Sequence, residues 1–218
     1  VSVPALEVGG DYYDYVPAAA GCWDFVIGDV SGKGVPAALI MSIVRSLIHT
    51  YVELATSLRE VLQRVNRNLT PDLEAEMFVT VAAFSLDPLR HRLRVVRAGH
   101  EPVVVVRASG EVIRLQPRGT ALGLAEISCF ERGLGEEQFE VQPHDTILMY
   151  TDGVTEAQNG DREEFGYERI EELARRHAGL PARALVEEII RAVTEFAQGR
   201  PQHDDITLLV VRRDGAAS

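Results

Sequence analysis

Apolar and polar positions fall into blocks of different period along the chain. Two extended stretches, roughly Leu6 to Val16 and Cys22 to Val30, flank Pro17-Ala18-Ala19-Ala20-Gly21 and predict a β-hairpin with a longer loop. From Val35 to Leu54 the period changes. Ser42, Arg45, Ser46, His49 and Glu53 recur at helical spacing and leave a wide apolar arc, which predicts a mostly buried helix. A second helix is predicted from about Ser57, with Leu58, Val61, Leu62, Val65 and Leu69 as its stripe, and it ends before Pro71. Short apolar runs broken by Gly, Pro, Asp or Ser then predict strands from Met77 to Leu86, Arg92 to Arg97, Val103 to Arg107, Val112 to Leu115, Phe139 to Val141 and Thr146 to Tyr150. Two more helices are predicted, Tyr167 to His177 and Pro181 to Gln198. Leu185, Val186, Ile189, Ile190, Val193 and Phe196 mark the second, and a last strand runs from Asp205 to Arg213.

Helices and strands are segregated rather than alternating, which favours α+β layers around a meandering antiparallel sheet over a doubly wound parallel one. The 218 residues fit one domain, 1–218. A net charge of -11, with no basic stripe, argues against nucleic acid or an anionic membrane as partner. No uninterrupted apolar run reaches the roughly 18 residues of a membrane span. Cys22 and Cys129 form neither a metal-type spacing nor a disulfide scaffold, so the default setting is reducing and cytoplasmic. The abrupt start at Val1 suggests a module cut from a longer protein, with any sensor domain upstream.

The candidate chemistry lies in four acidic stretches: Gly9-Gly10-Asp11, Gly28-Asp29-Val30-Ser31-Gly32-Lys33-Gly34, Thr151-Asp152-Gly153 and His203-Asp204-Asp205-Ile206-Thr207. Each sets a carboxylate at the edge of an apolar run, where aspartates are seldom buried unless paired or bound to metal. If the hairpin turn is centred near Ala20, Asp11 and Asp29 lie directly opposite each other, with Cβ atoms about 4.5–5.5 Å apart. A cation between them reverses the repulsion. Strand alternation sends Asp11, Tyr13 and Tyr15 to one face and Tyr12 and Asp14 to the other, so Asp14 ranks as secondary. Gly32, Lys33 and Gly34 turn the chain into the apolar helix, whose N-terminus beside the carboxylates suits a phosphate. Oxygen-only donors suit hard cations, Mg²⁺ or Mn²⁺, and two such ions can hold a hydroxide for in-line attack on phosphorus. A P-loop is disfavoured, since three residues rather than four separate Gly28 from Gly32 and no Ser or Thr follows Lys33.

In order, GGDYYDY, GDVSGKGVPAAL, AGHEP, YTDGVTEA and HDDITLLVV resemble the SpoIIE/RsbU branch of the PPM-type metal-dependent protein serine/threonine phosphatases, over about residues 6 to 212. The resemblance implies a four-layer α-β-β-α sandwich with two central antiparallel sheets flanked by helices, and two Mn²⁺ or Mg²⁺ ions at one end. It implies Asp11, Asp29, Asp152, Asp204 and the Val30 backbone carbonyl as metal ligands, with Asp29 bridging the ions and a metal-activated water as the nucleophile. Lys33, Gly32, Asp205 and Asp14 are candidates for outer contacts or phosphate binding. The N-terminal arginine that holds phosphate in eukaryotic relatives has no counterpart between Val1 and Asp11; Lys33 or the helix N-terminus are candidates to replace it. The implied reaction is hydrolysis of phosphoserine or phosphothreonine on a protein, in this branch a STAS-type anti-sigma-factor antagonist, under control of an upstream sensor domain. A homodimer stays open, as does a catalytically silent phosphoprotein-binding module of the same fold. His100 is read as structural rather than a general acid, Glu156 as orienting the loop after Asp152, and the packing face of the Val35–Leu54 helix, at Ile43 or Leu47, as the place for a switch.

Overall fold

Apolar side chains on both faces of most strands require cover on both sides, and this sets the architecture. The computed structural model describes residues 1–18, 21–74 and 76–215. One sheet runs β2 (Tyr12–Pro17), β3 (Trp23–Val30), β4 (Val79–Asp87), β5 (Arg92–Ala98), β8 (Glu136–Glu140). The other runs β1 (Ser2–Val3), β10 (Ile206–Arg212), β9 (Thr146–Tyr150), β6 (Val103–Val106), β7 (Val112–Leu115), and the strands of both pair antiparallel.

Three apolar interfaces stack these sheets with the helices. Ile27, Phe84, Val95, Val103, Val105 and Ile147 interdigitate between the sheets. On the outer face of the first sheet, Val26, Val81 and Ala83 meet α1 (Val35–Val52) and α2 (Leu58–Leu69). On the outer face of the second, Val104, Val106 and Leu148 meet α5 (Gly166–Arg176) and α6 (Ala182–Ala197). Neighbours such as Val103 and Val104 serve different interfaces, as a period of two demands. This is the expected four-layer α-β-β-α sandwich. The α2 stripe is buried as predicted, and the Ser57 side chain accepts from the Glu60 amide at 3.2 Å.

The helix predicted over Val35–Leu54 is not mostly buried. Only Ala37, Met41, Val44 and Ile48 of α1 are buried, while Val35, Leu39 and Ile43 are 62%, 62% and 38% exposed. A helix lying on a sheet buries one stripe, and the apolar arc here is wider than that contact. By length and composition α1 could also cross a membrane, against the expectation from uninterrupted runs, but its inner stripe packs on the sheet.

Three short elements escaped prediction: β1, which pairs with β10, α3 (Ile127–Gly133) and α4 (Asp152–Thr155). The strand predicted from Phe139 to Val141 is displaced to Glu136–Glu140, whose charged residues obscure an apolar pattern. Replacing Leu62 by Ala should remove about 2–5 kcal/mol of stability, whereas Ile43→Ser on the outer face of α1 should cost less than about 1 kcal/mol. Urea denaturation of the two variants checks this contrast.

Candidate metal and phosphate site

The hairpin register is the one that the sequence implies. Tyr12 pairs with Gly28 and Pro17 with Trp23, and one further step of this register brings Asp11 opposite Asp29. The expected turn centre near Ala20 lies outside the described residues. On its other side Asp29 pairs with Thr80 of β4. Asp152 is the first residue of α4, directly after β9, and Asp204 stands two residues ahead of β10. Because Leu208 of β10 pairs with Tyr150 of β9, these two carboxylates emerge at the same end of the second sheet. The close approach there needs Gly153, where a Cβ would lie 2.0 Å from the Asp205 carbonyl oxygen.

Burial and mutual repulsion dominate the electrostatics. Burial first, then Asp11, Asp152 and Asp204, push the Asp29 carboxyl up to about 9. Burial pushes Asp11 up to about 7, against the stabilising hydroxyl of Thr151, with Asp205 and Asp152 adding to the rise. Burial and then Asp204 raise Asp152, and burial and then Asp152 raise Glu156. Among the described residues no three Asp, Glu, His or Cys side chains already close on a common point as ligands of one ion. Like charges favour such spacing, and Lys33 Nζ holds Asp204 Oδ2 at 3.0 Å while also donating to the His203 carbonyl.

The donor set nonetheless fits a hard cation: hard oxygens with excess negative charge and an open backbone acceptor. A Cβ at Gly10 would come within 3.4 Å of the Val30 carbonyl oxygen and 3.7 Å of Asp29 Oδ1, so glycine keeps the passage to both clear. Ser31 donates to Phe78 across β3 and β4, which turns the Val30 carbonyl towards Gly10 instead of β4.

The outer candidates separate by geometry. Asp205 clamps the N-terminal segment, accepting from the Ala5 and Gly10 amides at 2.7 Å each. Asp14 lies outside the site, contrary to its ranking as an outer contact. Its Oδ2 accepts from the Tyr12 hydroxyl at 2.9 Å and lies 2.8 Å from His49 Nε2 on α1, because strand alternation points it at the helix layer. Gly32 has φ of 106° and turns the chain towards α1. His100 is buried with Nδ1 2.8 Å from Thr80 Oγ1, and burial pushes its pKa down to about 3, so the ring is neutral near pH 7 and unsuited to act as a general acid.

Thr151 was overlooked. Its hydroxyl donates to Asp11 Oδ2 at 2.8 Å and accepts from the Thr207 amide at 3.0 Å, joining the two sheets at the site. The only signal was its place inside the Thr151-Asp152-Gly153 stretch.

The sequence model of the family described as Stage II sporulation protein E (SpoIIE) matches residues 19–214. The chain belongs to this family. It is 31% identical to phosphoserine phosphatase RsbU of Bacillus subtilis, over 98% of this chain and 62% of that protein. It is 30% identical to protein IcfG of a Synechocystis strain, over 97% of this chain and 37% of that one. The chain therefore spans less than two thirds of the first relative and little more than a third of the second. In structure it is similar to the SiaA-PP2C domain of Pseudomonas aeruginosa, with a TM-score of 0.86 at 25% identity over 98% of this chain and 84% of that domain. The similarity to the PP2C phosphatase domain of SpoIIE from Bacillus subtilis, with a TM-score of 0.77 at 20% identity over 97% of this chain and 61% of that one, concerns the fold alone.

Carboxyls raised in the folded state stabilise it while protonated. In metal-free protein this contribution is complete below the ordinary carboxylate range near 4, and it is lost as pH rises through about 7 for Asp11 and about 9 for Asp29. With a chelator present, the melting temperature should fall from about pH 5 to about pH 9, and fall less in Asp29→Asn. Thermal melts across that range check both slopes.

Proposed function

We propose that the chain is a divalent-metal-dependent protein serine/threonine phosphatase that hydrolyses phosphoserine or phosphothreonine on a regulatory protein. The observation that carries this reading is the convergence of Asp11, Asp29, Asp152 and Asp204, from four separate stretches, on one end of the sandwich, each within electrostatic reach of another. We assign these four and the Val30 carbonyl as ligands of two ions, Mn²⁺ or Mg²⁺, with Asp29 shared. When bound, such ions supply Lewis acidity towards the phosphoryl oxygens and lower the pKa of water.

The chain's own residues hold this arrangement. Thr151 fixes Asp11 Oδ2 by its hydroxyl, and Asp205 fixes the Gly10 amide, so the segment before β2 cannot retreat from β3. Lys33 lies beside Asp204 and can transfer its charge to the substrate phosphate, the part played by an arginine in eukaryotic relatives. No side-chain nucleophile is required, in keeping with a buried, neutral His100.

As substrate we propose a phosphorylated STAS-type anti-sigma-factor antagonist in the cytoplasm, by analogy with relatives such as phosphoserine phosphatase RsbU. The domain would serve as the phosphatase module of a longer, sensor-regulated protein. With Mn²⁺ present the protein should hydrolyse p-nitrophenyl phosphate and a phosphoserine protein, and Asp29→Asn or Asp152→Asn should lower kcat/KM by about 100-fold or more without unfolding the chain. Steady-state kinetics with and without Mn²⁺ check this. Absence of metal-stimulated turnover in the folded wild type would favour a silent phosphoprotein-binding module instead.

A further inference from the structure

Next to the carboxylates lies a cavity of about 330 Å³ that the catalytic roles assigned above leave unused. Its apolar wall comes from Val193 and Ala197 of α6, Ile206 at the start of β10 and Ala157 after α4. Gly153 and Asp204 also line it, so the cavity adjoins the proposed phosphate site. Cavity and site are walled by the same two short segments.

The volume lies near the lower end of the roughly 300–1,000 Å³ spanned by ligand pockets, enough for one large side chain. Charge narrows the occupant further. Glu156, Asp204 and Arg200 all line it, and the Arg200 guanidinium donates to the Asn159 carbonyl at 2.6 Å. The two carboxylates outnumber this one guanidinium, so an acidic side chain is disfavoured, whereas an apolar one would bury its surface against Val193 and Ile206. An extended polypeptide advances about 3.3–3.6 Å per residue, so a chain whose phosphoserine lies against Asp204, itself a lining residue, brings its first or second neighbour to the cavity.

We infer that this cavity is a specificity pocket that takes one apolar side chain of the phosphoprotein substrate, within two residues of the phosphoserine. The inference rests on the phosphatase reading and adds to it a preference that small phosphate esters do not feel. The pocket selects among proteins that all carry the same phosphate. Thr194 and Ala197 are the residues through which it can be closed, since both line it from α6 and neither belongs to the carboxylate cluster.

The test uses phosphoserine peptides that differ only in the residues flanking the phosphoserine, Leu or Phe against Gly against Asp, with p-nitrophenyl phosphate as a reference substrate that carries no flanking residue. With Mn²⁺, wild-type kcat/KM should be about tenfold or more higher for Leu or Phe than for Gly, and lowest for Asp. Ala197→Trp should fill the cavity and abolish the preference while leaving turnover of p-nitrophenyl phosphate unchanged. Thr194→Trp, at an exposed position on the same wall, gives the same readout should the first variant not fold. Equal rates on all peptides, or a preference that survives in a folded, filled variant, overturns the pocket while leaving the phosphatase reading intact. Loss of all metal-dependent turnover in the wild type overturns both.

Discussion

Repulsion among carboxylates at the end of an apolar sandwich is the constraint on which this structure turns. Asp11, Asp29 and Asp152 are each pushed towards protonation by burial and by neighbouring carboxylates, and the threonine hydroxyls at Asp11 relieve this only in part. The backbone holds them together instead. The β2–β3 register sets Asp11 against Asp29, the abutment of Gly153 on the Asp205 carbonyl sets Asp152 beside Asp204, and the Asp205 carboxylate pins the Gly10 amide. The three apolar interfaces of the sandwich supply the stability against which this local cost is set, each fully buried Val, Leu or Ile contributing about 1.5–3 kcal/mol. Divalent cations convert the same repulsion into attraction, which links stability, metal affinity and activity through one set of charges.

The layering also decides what lies around the site. Two sheets meeting face to face leave their ends uncovered by the long helices, and the short segments at one end carry Lys33, Asp152 and Asp204. The loop into β10 and the end of α6 stand slightly apart, and the space between them is the apolar cavity beside the proposed phosphate position. Chemistry and choice of substrate can thus reside in separate residues of neighbouring elements. Thr151 and Asp205 serve the first, and Val193, Thr194 and Ala197 serve the second.

The parts legible in the sequence were those with a local signature. Period-two and helical patterning exposed both helix pairs and most strands, and equal distance from Ala20 identified the register of β2 on β3. The same alternation separated Asp11 from Asp14, and Asp14 indeed turns to His49 and Tyr12. The family motifs identified the fold and ranked the acidic residues within each stretch. Long-range geometry was not legible. The Thr151 hydroxyl reaches Asp11 across 140 positions, and Asp205 reaches Ala5 across 200, with no pattern that announces either. The burial of α1 was overestimated because composition reports how apolar a helix is, whereas the flat sheet beneath decides how much of it is covered. Elements as short as β1 and α4 owe their form to their neighbours, β10 in both cases.

The most direct test of the central claim is anomalous diffraction from crystals of the protein grown with Mn²⁺. The account expects anomalous peaks among Asp11, Asp29, Asp152 and Asp204, with the Val30 carbonyl within coordinating distance of one of them and Lys33 drawn away from Asp204. Well-ordered crystals at saturating Mn²⁺ with no peak between Asp11 and Asp29, or with ions bound only elsewhere on the acidic surface, would contradict it.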